Sequence, residues 1–243
     1  MRTFTKPGAI LLLLFFVAAA LLPLFVDPRG HFLRVAAMAL LFAAMAQSWN
    51  IVGGLANQIS LGHAAFFGLG AYTSTLLFLR LGISPWIGMM AGAAVAALAA
   101  ALLSVPTFRL KGHYFALATL AFAEVMRVIA NSWGDLTGGP VGLTVPFMGT
   151  QPLSFAFRAV SSYYWIILAL LVIVCGVFHL LASGAMGYRL RALRENEQAA
   201  EVAGVDTFKV KLTASVISAA LTAMCGTVFA QFTFFFDPDS IFS

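Results

Sequence analysis

Charge is what this chain has least of. Fourteen basic and nine acidic side chains make up only 9% of its 243 residues, against roughly 25% in an ordinary soluble domain. With a mean hydropathy of +0.96 and 23 phenylalanines, a water-facing surface is excluded. Cysteine is scarcer still. Cys175 and Cys225 lie inside apolar runs with no metal-ligand spacing, so they read as small buried hydrophobes. No H-E-x-x-H, G-x-S-x-G or G-x-x-x-x-G-K-[ST] occurs, and the corresponding metalloprotease, hydrolase and P-loop chemistries are absent. No catalytic residue, metal or cofactor is expected, and the chain is not read as an enzyme.

What is present is a series of apolar runs, each long enough to cross about 30 Å of hydrocarbon at 1.5 Å per helical residue. Seven spans are predicted, near 8–26, 31–54, 63–80, 84–107, 113–132, 163–183 and 209–232. The fold class is therefore all-α, a polytopic transmembrane helical bundle forming a single domain over 1–243. Turn signals separate the runs: Asp27-Pro28-Arg29-Gly30, Gly82-Ile83-Ser84-Pro85 and the Gly/Pro-rich stretch from Gly134 to Pro152. The first apolar stretch runs on to Val26, longer than the roughly 7–15 residues of a signal-peptide core, so a retained helix is expected. Gly88 and Gly92 form a G-x-x-x-G pair that favours close helix packing.

The net charge of +5 does not point to nucleic acid, because the basic residues sit at the ends of apolar runs. With the N-terminus in the cytoplasm, nine fall inside: Arg2, Lys6, Arg109, Lys111, Arg189, Arg191, Arg194, Lys209 and Lys211. Four fall outside, Arg29, Arg34, Arg80 and Arg158, and Arg127 lies within a span. That bias follows the positive-inside rule and puts the segment 186–208 in the cytoplasm.

Four stretches depart from plain hydrophobicity. From Gln47 to Tyr72 the chain is polar and glycine-rich, including Asn57, Gln58, Ser60 and His63. It fits either a cytoplasmic turn or a broken helix lining a solute pathway. Glu124 and Arg127 share a helix face with Asn131. They fit a structural ion pair or a gating element. Thr137–Leu143 reads as an outer connector, as a contact for an external partner, or as a re-entrant segment. Finally, Gly187–Val205 carries basic residues followed by acidic ones. Asn196 is placed to cap a short helix and Gly204 to end it, which suits docking on a cytoplasmic protein.

Gln198-Ala199-Ala200-Glu201-Val202-Ala203-Gly204 resembles the coupling motif of bacterial ABC-importer permeases. The longer run from Leu190 to Val205 is similar to that of LivM-type permeases of the branched-chain amino acid importer family. The blocks Ala56–Tyr72, Leu110–Glu124 and Thr137–Leu143 agree, so the resemblance extends from about Ala46 to Phe232. It implies a multi-pass subunit of the bacterial inner membrane, moving branched-chain or related hydrophobic amino acids inward by alternating access. The implied partners are two cytoplasmic ATP-binding subunits, a second homologous permease and a periplasmic substrate-binding protein. Arg194, Glu195, Glu197, Ala199, Ala200 and Gly204 would couple to the ATPases. Asn57, Gln58, Ser60, His63, Glu124 and Arg127 would line the pathway. Gln198 stands where the motif usually has Glu, and the resemblance implies further helices in longer family members. The competing classes are a secondary transporter or channel with an intramembrane Glu/His/Arg relay, and an ABC permease for urea or short amides.

Overall fold

An apolar segment in lipid must satisfy its own backbone polar groups, and a helix does so within one segment. The computed structural model describes residues 6–27, 30–108, 113–147 and 154–242. Arg2, Arg29, Arg109, Lys111 and the part of the Gly/Pro-rich loop at 148–152 lie outside them. Helix α1 runs Lys6–Phe25 and α2 His31–Asn50, the latter continuing as a π-helical turn, Ile51–Leu55. Then come α3 His63–Leu81, α4 Pro85–Thr107, α5 His113–Ser132, the single turn α6 Gly134–Thr137, and α7 Val160–Ser183. Helices α8 Ala185–Glu195, α9 Glu197–Val202, α10 Thr207–Thr233 and α11 Pro238–Ile241 complete the set. Strand β1 (Leu143–Thr144) pairs antiparallel with β2 (Phe235–Phe236), Leu143 opposite Phe236.

Among the described residues, six helices are long and apolar enough to span a membrane: α2 with its π turn, α3, α4, α5, α7 and α10. The expected seventh, α1, contributes a shorter apolar helix, Ile10–Phe25.

Five of the six divide into two packed groups. In the first, α3, α4 and α10 associate through small residues. A Cβ on Gly70 would lie 2.0 Å from the Ala223 carbonyl oxygen, and one on Gly226 would lie 2.0 Å from that of Phe67. Only glycine permits this approach, which substitutes dispersion contact for the missing hydrophobic drive between helices in lipid. Thr227 Oγ1 adds a hydrogen bond to the Gly70 carbonyl at 3.0 Å. The G-x-x-x-G pair serves the same group: Gly88 abuts Ser74 and Gly92 abuts Gly70.

In the second group α2 packs on α7, and Tyr164 on α7 donates to the Ala19 carbonyl of α1 at 2.7 Å. Contact between α2 and α10 joins the groups. Helix α5 is peripheral: Phe115, Thr119, Ala123 and Ala130 face the bundle, while Leu117, Leu120, Val125 and Val128 face away.

Candidate functional site

The basic end of the bundle is built around an interrupted helix. After Asn50 the backbone widens into the π turn, then leaves helical geometry at Ala56 and turns back through Asn57, whose φ of 53° is left-handed. Asparagine tolerates that conformation better than most residues. The break thus comes slightly later than the first polar residues, Gln47 to Asn50, which remain helical. Two contacts hold the returning segment: Trp49 Nε1 donates to the Ser60 carbonyl at 2.7 Å, and the Leu61 N–H donates to Thr119 Oγ1 at 3.0 Å.

His63, the first residue of α3, is buried where three helices meet. Its Nε2 lies 2.8 Å from Ser218 Oγ, and Nδ1 lies 3.2 Å from Ser60 Oγ. Ser218 gives its one hydroxyl proton to the Ser48 carbonyl, 2.7 Å away. Its oxygen must therefore accept from Nε2–H, and the neutral ring accepts from Ser60 at Nδ1. That chain fastens α2, α3 and α10 to one another. Beside it lies a pocket of about 20 Å³ lined in part by Ser104, Thr107, Thr119 and Ser215, room for a single water and nothing larger. A second pocket, of about 290 Å³ and lined by Phe42, Met45, Ala46, Trp49 and His63, also reaches the imidazole.

A wider cleft opens toward the basic end. It holds about 540 Å³ and is lined by Asn57, Gln58, His113, Arg194, Glu197 and Lys211 among others. That volume is within the usual range for small-molecule sites. Asn57 and Gln58 thereby join two of the residues expected to serve coupling, and Ser60 and His63 lie just beneath.

The coupling-like segment is two helices with a kink between them: α9 is the short helix expected between Asn196 and Gly204, and α8 before it was not expected. The kink is at Asn196, whose φ of −159° and ψ of 111° are extended. Its Oδ1 caps α9 by accepting from Ala199 N–H at 3.1 Å. Gly204, at φ 85°, closes the far end and accommodates a left-handed turn that a side chain would strain. Ala200 points into the bundle and is buried, whereas Glu195, Ala199 and Gly204 are exposed, as is Val202 at 92%.

Two ties join this segment to the spans. Lys211 of α10, only 5% exposed, pairs with Glu197 at 2.6 Å. Arg194 Nη1 donates to the Gly54 carbonyl of the π turn at 3.2 Å. At the start of α10, Asp206 caps the Lys209 N–H. The Lys209 ammonium and that backbone bond hold the Asp206 carboxyl below its ordinary range.

Glu124 and Arg127 are far from this cleft in the chain's connectivity and form a separate cluster. Arg127 Nη2 meets Glu124 Oε1 at 2.5 Å and Nε meets Oε2 at 3.0 Å. A third partner comes from the other end of the sequence: Nη1 donates to Asp239 Oδ1 at 2.6 Å. Asn131 donates to the same oxygen at 3.2 Å. Arg127 and Asn131 hold the Asp239 carboxyl below its ordinary range. Among the described residues no hydrogen bond joins His63 to this cluster.

Sequence reasoning missed Lys211, Asp239, Ser218, Trp49 and Val202. For Lys211 the one signal was a second lysine two residues after Lys209, inside an apolar run. Asp239 gave none, since its partners lie more than a hundred residues earlier.

Comparison with known proteins places these features in a family. The model of the branched-chain amino acid transport system / permease component family matches residues 31–243. The high-affinity branched-chain amino acid transport permease protein LivM of Escherichia coli is 31% identical, over 93% of this chain and 59% of its own length. Its Salmonella typhimurium counterpart is 31% identical over 89% of this chain and 56% of its own length. A nucleoside ABC transporter permease of Lactococcus lactis is 22% identical over 79% of this chain. The chain spans between half and two thirds of the length of the LivM relatives. No solved structure matches it. A family match over almost the whole chain, on a bundle of membrane-length helices, identifies it as a member of the branched-chain amino acid transport permease family, a multi-pass protein of the inner membrane.

Proposed function

We propose that the chain is the membrane-spanning part of an ATP-driven importer, passing branched-chain or related hydrophobic amino acids to the cytoplasm by alternating access. Its partners on this reading are two cytoplasmic ATPases, a second permease and a periplasmic substrate-binding protein. The observation that carries it is the pair of ties from the α8–α9 segment to the spans. A surface helix that only filled a loop would need neither a buried ion pair to α10 nor a guanidinium on the π turn. With both, displacement of α9 pulls on α10 through Glu197–Lys211 and on the broken end of α2 through Arg194.

The exposed side of α9, with Ala199, Val202 and the neighbouring Glu195 and Gly204, is the docking face. Ala200 and Glu197 anchor the inner side. The cleft beside Asn57 and Gln58 is the cytoplasmic exit, and the His63–Ser60–Ser218 seal is the closed gate above it. The pocket of about 20 Å³ among Ser60, His63, Thr107 and Thr119 supports that seal, because no amino acid fits within it.

The test uses the complete transporter in proteoliposomes with its ATPases and binding protein. Val202→Asp, at an exposed position, is expected to abolish ATPase association without lowering the melting temperature. Arg194→Ala is expected to keep ATPase association and raise the ATP hydrolysed per leucine moved, because the pull on the π turn is lost. Leucine uptake that proceeds at full rate in liposomes lacking the ATPases would overturn the proposal.

A further inference from the structure

The stripe of α5 that faces away from the bundle changes character along its length. Leu117 and Leu120 occupy its basic-end half, and in the half toward the opposite end Glu124 and Arg127 join the exposed Val125 and Val128. Ions are costly in hydrocarbon, so a stripe carrying them faces protein or water rather than lipid tails. Asp239 reaches the same place because the chain folds back after α10. Strand β2 pairs with β1, and Phe236 and Phe242 pack on Tyr72 with ring centroids 5.0 and 5.9 Å away. The cluster is therefore assembled from two distant parts of the chain, and its position is fixed by an aromatic anchor.

Its charge does not close. Two carboxylates share one guanidinium, leaving a net negative charge. Asp239 Oδ1 takes both Arg127 and Asn131, and among the described residues no donor reaches Oδ2. Three of the five guanidinium N–H donors are committed, to Glu124 twice and to Asp239 once. Two remain. An excess carboxylate oxygen beside spare guanidinium donors fits a ligand with an ammonium and a carboxylate on one carbon.

We propose that Glu124, Arg127 and Asp239 form an entry subsite for the head group of a zwitterionic α-amino acid at the end of the bundle opposite α9. The ammonium rests on Asp239 Oδ2 and the carboxylate on the free Arg127 N–H groups. Because the site is net negative, the ammonium is the stronger requirement. This rests on the transport function proposed above and adds to it the group recognised and the residue, Asp239, that recognises it.

Binding of tritiated leucine to the complete detergent-solubilised transporter, without binding protein, tests the subsite. Leucinamide keeps the ammonium and lacks the carboxylate charge; 4-methylpentanoate is the reverse. Leucinamide is expected to compete and 4-methylpentanoate to compete at least about tenfold less well, one charge contact's worth of affinity. Asp239→Asn is expected to weaken leucine binding by about tenfold, and Glu124→Asp to retain most of it. Absence of saturable binding, equal competition by the two analogues, or binding indifferent to Asp239→Asn would each overturn the subsite. The two proposals fail separately. Coupled ATP hydrolysis with binding indifferent to Asp239 refutes the subsite alone, whereas uptake that needs no ATPase refutes the importer.

Discussion

The two ends of this bundle each carry an ion pair that ties a short peripheral helix to a long one, and the pairs are built in opposite ways. At the basic end Lys211 is 5% exposed and Glu197 30%. At the other end Arg127 is 34% exposed, with Glu124 at 55% and Asp239 at 62%. Coulomb attraction grows as water is excluded, and so does the penalty for leaving one partner alone. The basic-end pair therefore acts as a fixed joint, making α9 and α10 move together. The opposite cluster is held mainly by geometry and exchanges its contacts with solvent at little cost. The asymmetry accords with the proposed function, in which force arrives at the first end and solute at the second.

The largest effect is expected where burial is deepest. Lys211→Met leaves Glu197 without its partner and should destabilise the folded chain by about 3–5 kcal/mol, read as a fall in melting temperature in nanodiscs. Lys211→Met with Glu197→Leu removes both charges and should recover most of that loss. A double variant no better than the single one would show that the joint depends on something other than the ion pair.

Asn196→Ala comes next. It deletes the cap of α9 and should cost about 1 kcal/mol, seen as faster amide exchange over residues 197–203. The smallest effect on stability is expected from Asp239→Asn, which should leave the melting temperature unchanged because the group is solvated. A marked fall would erase the contrast between the two ends.

Acidity sharpens the same contrast. The native Asp239 carboxyl has its pKa lowered by Arg127 and Asn131. Its contribution is thus complete above the unfolded-state value of roughly 4 and is lost only as pH falls through the lower native value. Exchange protection over residues 235–242, corrected for intrinsic rates, should stay constant from pH 7 to pH 5 and decline only below the ordinary carboxylate range.

How much of this was legible in the sequence follows from the range of the interactions. The spans were readable because hydropathy over about twenty residues is a local property: α5 begins and ends where expected, at His113 and Ser132, and α3 begins at His63 as expected and ends at Leu81, one residue late. The Asn196 cap and the Gly204 stop were readable for the same reason. What was not readable is α8, Ala185–Glu195, a separate helix formed by the basic run that precedes the cap. The Glu124–Arg127 contact was legible at spacing three. Its completion by Asp239 depends on a fold-back fixed by β-pairing and ring packing across the bundle. His63 was singled out for its polarity, but its bonds to Ser60 and Ser218 depend on α10 arriving at that depth.

The glycine contacts between α3 and α10 have a mechanical corollary. Backbones in direct contact at Gly70 and Gly226 have no intervening side chains to change rotamer, so there is no slack for one helix to slide along the other. Helices α3 and α10, with α4 against them, behave as a single stiff plank. Whatever rocks during a cycle must be hinged at its margins, along the α2–α10 seam and at loosely attached α5.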